Sequence, residues 1–347
     1  MNLDIGTEKR FLEFVDNLSD EDNIALISHT DVDGITAAFV ANQFLDADLI
    51  KFVNYEDLNE NLINVLKASK INKVVFTDLF LKSESFIGDL EEFADVLILD
   101  HHLAQKDWNS KRTVFIKGED GYCAAYLCYY LFSKVKNMEE IDWLVACASV
   151  ADYCHVKPAK WLSIIYEKYG DKLENVGLYV RTSGKIWDLQ EKISYAIIYF
   201  KKGKLNEVFN QLGTSFGDIG NLGEHADQVG KEVERLVELF NKEREVFNGG
   251  YLFEFNPKYD CGSIVGTIVS AKEPHKAYVT MRYDSDRKMY RVSARRQDKT
   301  VNMADFLNKL LEGFEGADAG GHVPAAGGSF PKKYIEEFRN RLGVKSH

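Results

Sequence analysis

The sequence predicts an α/β protein: an N-terminal domain built on a parallel sheet, a helical connector, and a smaller α+β domain at the C-terminal end. Three observations predict it. Short continuous apolar runs in the first half alternate with helical patterns, as buried parallel strands between crossover helices do. One long stretch of three-four apolar spacing follows. Beyond it the texture changes to short strand-like runs. The 347 residues, at roughly 150 per domain, suit about two domains.

In chain order, Ile24-Ala25-Leu26-Ile27, Val74-Val75-Phe76 and Val96-Leu97-Ile98-Leu99 are the strand candidates. Between them Gly34 to Leu45 is helix-like and mostly apolar, and Leu58 to Ser69 has helical spacing. Such β-α alternation predicts an open α/β sheet. From about Tyr122 to Tyr199 the signal is mainly helical, with apolar faces such as Leu144, Val145 and Ala148. Leu222, Ala226, Val229, Val233, Leu236, Phe240 and Phe247 predict a long helix over Leu222 to Phe247, with Gly249-Gly250 as its stop. Tyr251 to Phe255, Ile264 to Ser270, Ala277 to Arg282 and Lys288 to Ala294 read as strands, and Met303 to Glu312 and Lys332 to Leu342 as helices. The expected divisions are 1–202 for the first domain, 203–248 for the connector and 249–347 for the second domain.

Composition limits the functions available. With 45% hydrophobic and 28% charged residues, the chain is an ordinary globular one, which excludes disorder, collagen-like repeats and fibres as its main state. No stretch approaches the roughly 20 apolar residues of a membrane span. The opening MNLDIGTEKR lacks a basic segment followed by an apolar one, which argues against a secretory signal. Five cysteines make no disulfide framework in a chain this long, so a reducing, cytoplasmic setting is expected. The 43 basic and 54 acidic residues leave a net charge of −11. That balance argues against a broad non-specific DNA-binding surface. It is compatible with an enzyme that holds a few phosphates at a metal site, where bound cations invert the local sign of charge.

Three of the apolar runs end in metal-type ligands. The first ends in Ser28-His29-Thr30-Asp31-Val32-Asp33-Gly34, the second in Thr77-Asp78, the third in Asp100-His101-His102. Sites in open α/β sheets form outside the carboxyl ends of the strands, so these three runs deliver His and Asp to one edge. A fourth acid, Asp152, follows the apolar stretch Leu144 to Ala151. Carboxylates with a few imidazoles suit hard or borderline divalent ions. A pair of such ions about 3.5–4 Å apart can clamp a phosphoryl group, and a bridging carboxylate holds them that close. Asp78, on a middle element, is the natural bridge. Taken singly, Asp33 or Asp78 reads better as a helix N-cap, and His101 as a core histidine. The four clusters together are far more specific than any one of them.

These residues resemble the four motifs of the DHH phosphoesterase superfamily, which includes RecJ-type exonucleases, oligoribonucleases, cyclic-dinucleotide phosphodiesterases and family II pyrophosphatases. Gly320-Gly321-His322-Val323-Pro324-Ala325-Ala326-Gly327-Gly328 resembles the GGHxxAAG signature of the DHH-associated domain carried by the nuclease-like members. The resemblance implies that His29 and Asp31 hold one cation, that Asp33, His101 and Asp152 hold the other, and that Asp78 bridges. It implies that His102 sits at the phosphate and that Asp100 orients an imidazole. The pattern alone does not separate His101 from His102.

In the second domain Arg291, Ser293 and Arg295 alternate, which puts them on one strand face. Arginines there suit phosphate recognition, and Arg282, Lys288, Arg296 and Lys299 add local positive charge. The Gly320 to Gly328 segment reads as a loop whose glycines, Gly320 and Gly321 among them, permit a backbone nest for an anion, with His322 bonding a phosphate or sugar hydroxyl. Cys123 and Cys128 are expected in the core. Cys147 and Cys154 lack the spacing of a zinc site, His155 is expected to be exposed or structural, and His225, His275 and His347 have no partner pattern. Tyr122, Tyr126, Tyr129, Tyr130 and Phe132 are expected to pack.

The expected activity is Mn²⁺-dependent phosphodiester hydrolysis with two cations, Mg²⁺ or Co²⁺ being substitutes. The expected substrate is short single-stranded RNA or DNA, cut exonucleolytically to mononucleotides. The alternative is a phosphodiesterase or phosphatase for linear or cyclic dinucleotides or a nucleotide 3′-phosphate. A replication or repair protein is a conceivable partner; a membrane is not.

Overall fold

The computed structural model describes residues 1–104, 106–174 and 184–344. The elements in chain order are β1 (Leu3–Ile5), α1 (Glu8–Asp16), β2 (Ile24–Ser28), α2 (Val32–Leu45), β3 (Leu49–Phe52), α3 (Glu60–Ala68), β4 (Lys73–Thr77), α4 (Glu84–Glu91), β5 (Asp95–Asp100), β6 (Thr113–Gly118) and α5 (Ala124–Phe132). Then come α6 (Asp142–Ala151), α7 (Ala159–Lys168), α8 (Lys185–Phe200), α9 (Leu205–Phe209) and α10 (Leu222–Glu243). They are followed by β7 (Glu245–Phe247), β8 (Gly250–Glu254), α11 (Gly262–Ser270), β9 (Ala277–Asp284), β10 (Met289–Arg295), α12 (Met303–Leu311), β11 (Asp318–His322), β12 (Ala325–Pro331) and α13 (Ile335–Leu342). The chain divides into two compact units, Met1–Asp227 and Gln228–His347, and the division falls inside α10. Among the described residues no helix is long and apolar enough to cross a membrane. His347 and part of the expected helical stretch before Tyr199 lie outside the described residues.

The first unit is an open sheet in the order β1-β6-β5-β4-β2-β3. Only β1 runs antiparallel; the other neighbours are parallel. Both faces are covered, which is why the strand sequences are continuously apolar rather than alternating. Leu26, Val75, Leu97 and Leu99 point to the core shared with α2, α5 and α6. Ala25, Ile27, Val74, Phe76, Val96 and Ile98 point to the opposite core, filled from α3 and α4 by Leu62, Leu66, Phe86 and Leu90. Helix α2 is buried from Val32 through Ala41, and so is apolar all round its circumference, as a helix inside a core must be. The three predicted strands are β2, β4 and β5, and β4 lies between the other two. Their carboxyl ends therefore adjoin.

The second unit has a sheet in the order β11-β12-β10-β9-β8-β7. It is antiparallel except for the β8–β9 pair. Helices α12 and α13 cover one face, where Leu307, Leu310 and Phe338 meet Val279, Val292 and Phe330.

The structure differs from the sequence expectation at three places in or next to this unit. The long helix stops at Glu243, and Phe247 belongs to β7, which pairs with β8 through Phe247↔Gly250. Gly249, at φ +100, is thus the turn of a β-hairpin rather than a helix stop. Ile264 to Ser270 lies in helix α11, not a strand. Its β-branched residues favour strands, but Val265 and Val269, four apart, are both buried, and packing overrides propensity. The glycine-rich segment is not an open loop. It is a hairpin, β11 with β12, that pairs Gly320 with Gly327 and His322 with Ala325.

Phe330 is 0% exposed on β12, with ring centroids 5.6 Å from Tyr290 and 4.7 Å from Phe338. Phe330→Ala is expected to destabilise the second unit by about 3–5 kcal/mol in chemical denaturation. A loss below about 1 kcal/mol would place Phe330 outside a packed core.

Candidate metal centre

The strand ends set the site. After β2 the chain turns through His29 to Gly34. The Ser28 hydroxyl donates to the Gly34 carbonyl at 2.6 Å, and the Asp31 carboxylate accepts from the Gly34 N–H at 2.9 Å, capping α2. A side chain at position 34 would put its Cβ 2.5 Å from the His29 carbonyl oxygen, so only glycine lets the turn close this tightly. Asp33 follows in the first turn of α2. Its two oxygens accept the Ala124 and Ala125 N–H groups, each at 2.8 Å. Asp33 thus caps a helix, but it is α5, while Asp31 caps α2. Asp78 is no cap for α4, which Ser83 caps.

Asp78 follows β4 in the left-handed region, at φ +57, and its N–H donates to the Leu99 carbonyl at 3.0 Å. Asp100 ends β5. Its Oδ1 accepts from the His101 N–H at 2.8 Å and shares a 2.7 Å hydrogen bond with His102 Nδ1. Asp152 sits at the C-terminal cap of α6.

These residues converge on Asp78, whose side chain is 2% exposed. His29 Nδ1 lies 3.0 Å from Asp31 Oδ2 and 3.6 Å from Asp78 Oδ2. On the other side His101 Nε2 lies 3.4 Å from Asp78 Oδ1, 3.7 Å from Asp152 Oδ2 and 3.8 Å from Asp33 Oδ2. His102 Nδ1 is 3.9 Å from Asp78 Oδ1. Asp78 Oδ2 is buried without a hydrogen-bond partner.

Electrostatics follow from the crowding. Loss of solvation and the neighbouring Asp78 raise the Asp33 carboxyl well above its usual range. Loss of solvation likewise lifts Asp152 to about 6. Burial disfavours a charged His29 ring, but the hydrogen bond to Asp31 and the nearby Asp78 carboxylate outweigh it and lift the ring to about 10. His101 and His102 are raised in the same way, chiefly by Asp78 and Asp100 respectively against burial. Protons hold this cluster of acids together when nothing else does. A buried carboxylate oxygen with no donor, ringed by imidazole and carboxylate groups, fits a divalent cation. Ligand atoms of His29, Asp31 and Asp78 lie close enough to share an ion, as do those of Asp78, Asp100, His101 and His102.

Two residues escaped the sequence reading. Tyr55 lies just past β3, on the same sheet edge. Its ring centroid is 5.5 Å from that of His29, its hydroxyl is 3.4 Å from His102 Nε2, and the residue is 40% exposed. Recognising β3 as a strand would have found it. Cys154, set aside for want of zinc spacing, donates to Asp152 Oδ2 at 3.2 Å and groups with His101 and Asp152. Burial pushes its thiol up to about 12. Its two-residue offset from Asp152 was the available signal. His155 is buried rather than exposed, and Tyr126, Tyr129 and Tyr130 pack against the core as expected.

In the second unit Arg291, Ser293 and Arg295 share one face of β10, while Tyr290, Val292 and Ala294 are buried on the other. The register aligns Ser293 with Gly327 and Gly320, and Arg295 with Ala325 and His322. A strip of bare glycine backbone thus lies beside the Arg–Ser row, with Gly320, Gly321 and His322 exposed. Arg295 donates to the Ser263 hydroxyl at 2.8 Å, and Arg291 lies 3.4 Å from Asp284. Much of the expected extra charge is already engaged, since Arg282 pairs with Asp260 at 3.0 Å and Arg296 with Asp298 at 2.8 Å.

Carboxylates and histidines gathered at the carboxyl edge of a parallel sheet, around a buried shared aspartate, define a metal-dependent hydrolase. Residues 23–152 match the DHH family N-terminal domain and residues 251–343 match the DHHA1 domain. The chain belongs to the DHH superfamily, with a C-terminal DHH-associated domain. No curated protein matches it in sequence. Among solved structures it resembles RecJ from Thermus thermophilus in complex with Mn²⁺, at TM-score 0.66 and 15% identity over 99% of this chain. It spans 54% of that protein's length. It also resembles an exonuclease RecJ bound to manganese, at TM-score 0.64 and 15% identity, over 99% of this chain and 94% of that one. CDC45 from Entamoeba histolytica follows at TM-score 0.62 and 10% identity, over 96% and 97% of the two chains. At these identities the likeness is one of fold.

Cations and protons should compete here. With its ring lifted to about 10, His29 is protonated at neutral pH in the metal-free protein and must release that proton to ligate. Calorimetric titration of Mn²⁺ in buffers of different ionisation enthalpy is expected to show net proton release at neutral pH, and affinity rising with pH. In the metal-free protein the protonated ring stabilises the fold fully below its ordinary value of 6.5, and that contribution is lost as pH rises through about 10. Binding without proton release would contradict this charge state.

Proposed function

We propose that the protein is a Mn²⁺-dependent phosphodiesterase that shortens small single-stranded RNA or DNA from an end and releases mononucleotides. The observation that carries this reading is Asp78, a buried carboxylate just past the end of the middle strand of three, with His29 and Asp31 on one side and His101 and His102 on the other. His29 and Asp31 would hold one cation, Asp33, His101 and Asp152 a second, and Asp78 both. When bound, such a pair supplies Lewis acidity and an activated water at phosphorus.

The chain's own groups do the rest. Asp100 grips His102 Nδ1 at 2.7 Å, which fixes the ring and leaves Nε2 facing the accessible side with the Tyr55 hydroxyl. His102 is raised above its ordinary value, which favours the protonated ring, and that proton can be directed at a phosphate oxygen or a departing hydroxyl. Asp33 takes two N–H groups of α5, which anchors the His29–Gly34 turn against the helix layer. In the second unit, Arg291 and Arg295 flank a glycine strip that lets a sugar-phosphate backbone approach closely. Gly320, Gly321 and His322 would line that strip. An acidic protein with this local arginine row suits short substrates in the cytoplasm better than long duplexes.

The test is Mn²⁺-dependent digestion of end-labelled RNA and DNA as dinucleotides, pentanucleotides and long strands. Stepwise laddering is expected from the wild type. Asp78→Ala is expected to lower kcat/KM by on the order of 100-fold or more. His102→Ala is expected to lower kcat by roughly 10²-fold or more with little change in KM. Cleavage of dinucleotides alone would replace the exonuclease reading with that of a small-nucleotide phosphodiesterase, and full activity in Asp78→Ala would overturn the site.

A further inference from the structure

The two sides of Asp78 are chemically unlike. His29 and Asp31 offer nitrogen and oxygen only. On the other side a sulfur joins. Helix α6 ends at Ala151, Asp152 caps it, and Tyr153 at φ +56 turns the chain back. That turn brings Cys154 Sγ to 3.2 Å from Asp152 Oδ2, and His101 Nε2 lies 3.7 Å from the same oxygen. One nitrogen, one oxygen and one sulfur all lie within 4.8 Å of one another.

The shared carboxylate adjoins the same place. The Asp78 side chain is 2% exposed and presents its Oδ1 to His101 Nε2 at 3.4 Å, while its Oδ2, buried with no hydrogen-bond partner, faces His29 Nδ1 at 3.6 Å on the opposite side. A carboxylate stripped of water, with one oxygen toward the His–Asp–Cys group and the other toward His29, suits a cation on each side. The other four cysteines are differently placed: Cys123, Cys128, Cys147 and Cys261 are buried, and Cys154 is partly accessible.

We propose that Cys154 is a ligand to the cation held by His101 and Asp152, which makes that half of the centre a mixed nitrogen, oxygen and sulfur site. The proposal rests on the metal-centre reading above and extends it to a donor that reading does not include. When the cation binds, the Sγ–H bond breaks, the proton leaves to solvent and the sulfur lone pair forms the bond to the ion. A thiolate donor favours borderline ions such as Co²⁺ and Zn²⁺ over Mg²⁺. The His29–Asp31 half, with hard donors and one imidazole, lacks that bias. The two positions therefore differ in which ions they retain, and the softer position keeps its ion when Mg²⁺ is in excess.

The experiment adds Co²⁺ to the metal-free full-length protein under reducing, oxygen-free conditions and reads its absorption. The wild type is expected to show visible ligand-field bands together with a near-ultraviolet sulfur-to-cobalt charge-transfer band. Cys154→Ser is expected to keep the visible bands and lose the charge-transfer band. Visible bands without charge transfer in the wild type, or a charge-transfer band that survives in Cys154→Ser, would overturn the cysteine assignment and leave the metal centre standing. Absence of the visible bands altogether would sink both. A measurement that needs no variant is iodoacetamide labelling of Cys154, followed by peptide mass. Co²⁺ is expected to slow it by roughly tenfold or more, and an unchanged rate would overturn the proposal.

Discussion

Four carboxylates, Asp31, Asp33, Asp78 and Asp152, are drawn to one edge of a sheet whose interior is apolar, and Asp78 is buried among them. Like charges this close cannot all be ionised without counterions. Without cations, protons serve: Asp33 and Asp152 shift up, and the three histidines are shifted toward their protonated forms against the penalty of burial. The fold enforces the crowding by backbone means. Asp78 is fixed by its N–H bond to Leu99, and Asp33 by two N–H groups at the start of α5. Such an arrangement spends folding stability to hold charge, which proteins tolerate chiefly at functional sites.

Much of the first unit was legible because its strands are buried on both faces. Ile24–Ile27, Val74–Phe76 and Val96–Leu99 have no solvent side to interrupt them, and each is followed at once by the polar residues it presents. Asp78 as the middle element was legible from chain order, since β4 falls between β2 and β5. What was hidden lay where local signals are weak or double. β3 is short and mostly half-buried, with Lys51 breaking its apolar run, so Tyr55 beyond it had no strand end to mark it. Cap chemistry misled because Asp31 and Asp33 are two residues apart and both cap helices, one its own and one across the core.

In the second unit the same ambiguity took other forms. The β-branched run of α11 looks like a strand until Val265 and Val269 are seen to share a buried face. Glycine permits both nests and strands, and the motif around His322 turned out to be a hairpin whose cross-strand register, not its loop, aligns it with Ser293 and Arg295. The alternation of Arg291, Ser293 and Arg295 was reliable because a period of two has one structural meaning on a half-buried strand. The arrangement of donors was thus easier to foresee than the hydrogen bonds that hold them, because those bonds join residues far apart in sequence.

A two-cation centre here requires Asp78 to serve both ions at once. The most direct measurement is the number of Mn²⁺ ions retained per chain, by elemental analysis after removal of free metal, in the wild type and in Asp78→Ala. Two ions in the wild type and fewer than one in the variant are predicted, because losing the shared carboxylate weakens both positions. A single ion in the wild type, or two ions retained by Asp78→Ala, would contradict a centre organised around that residue.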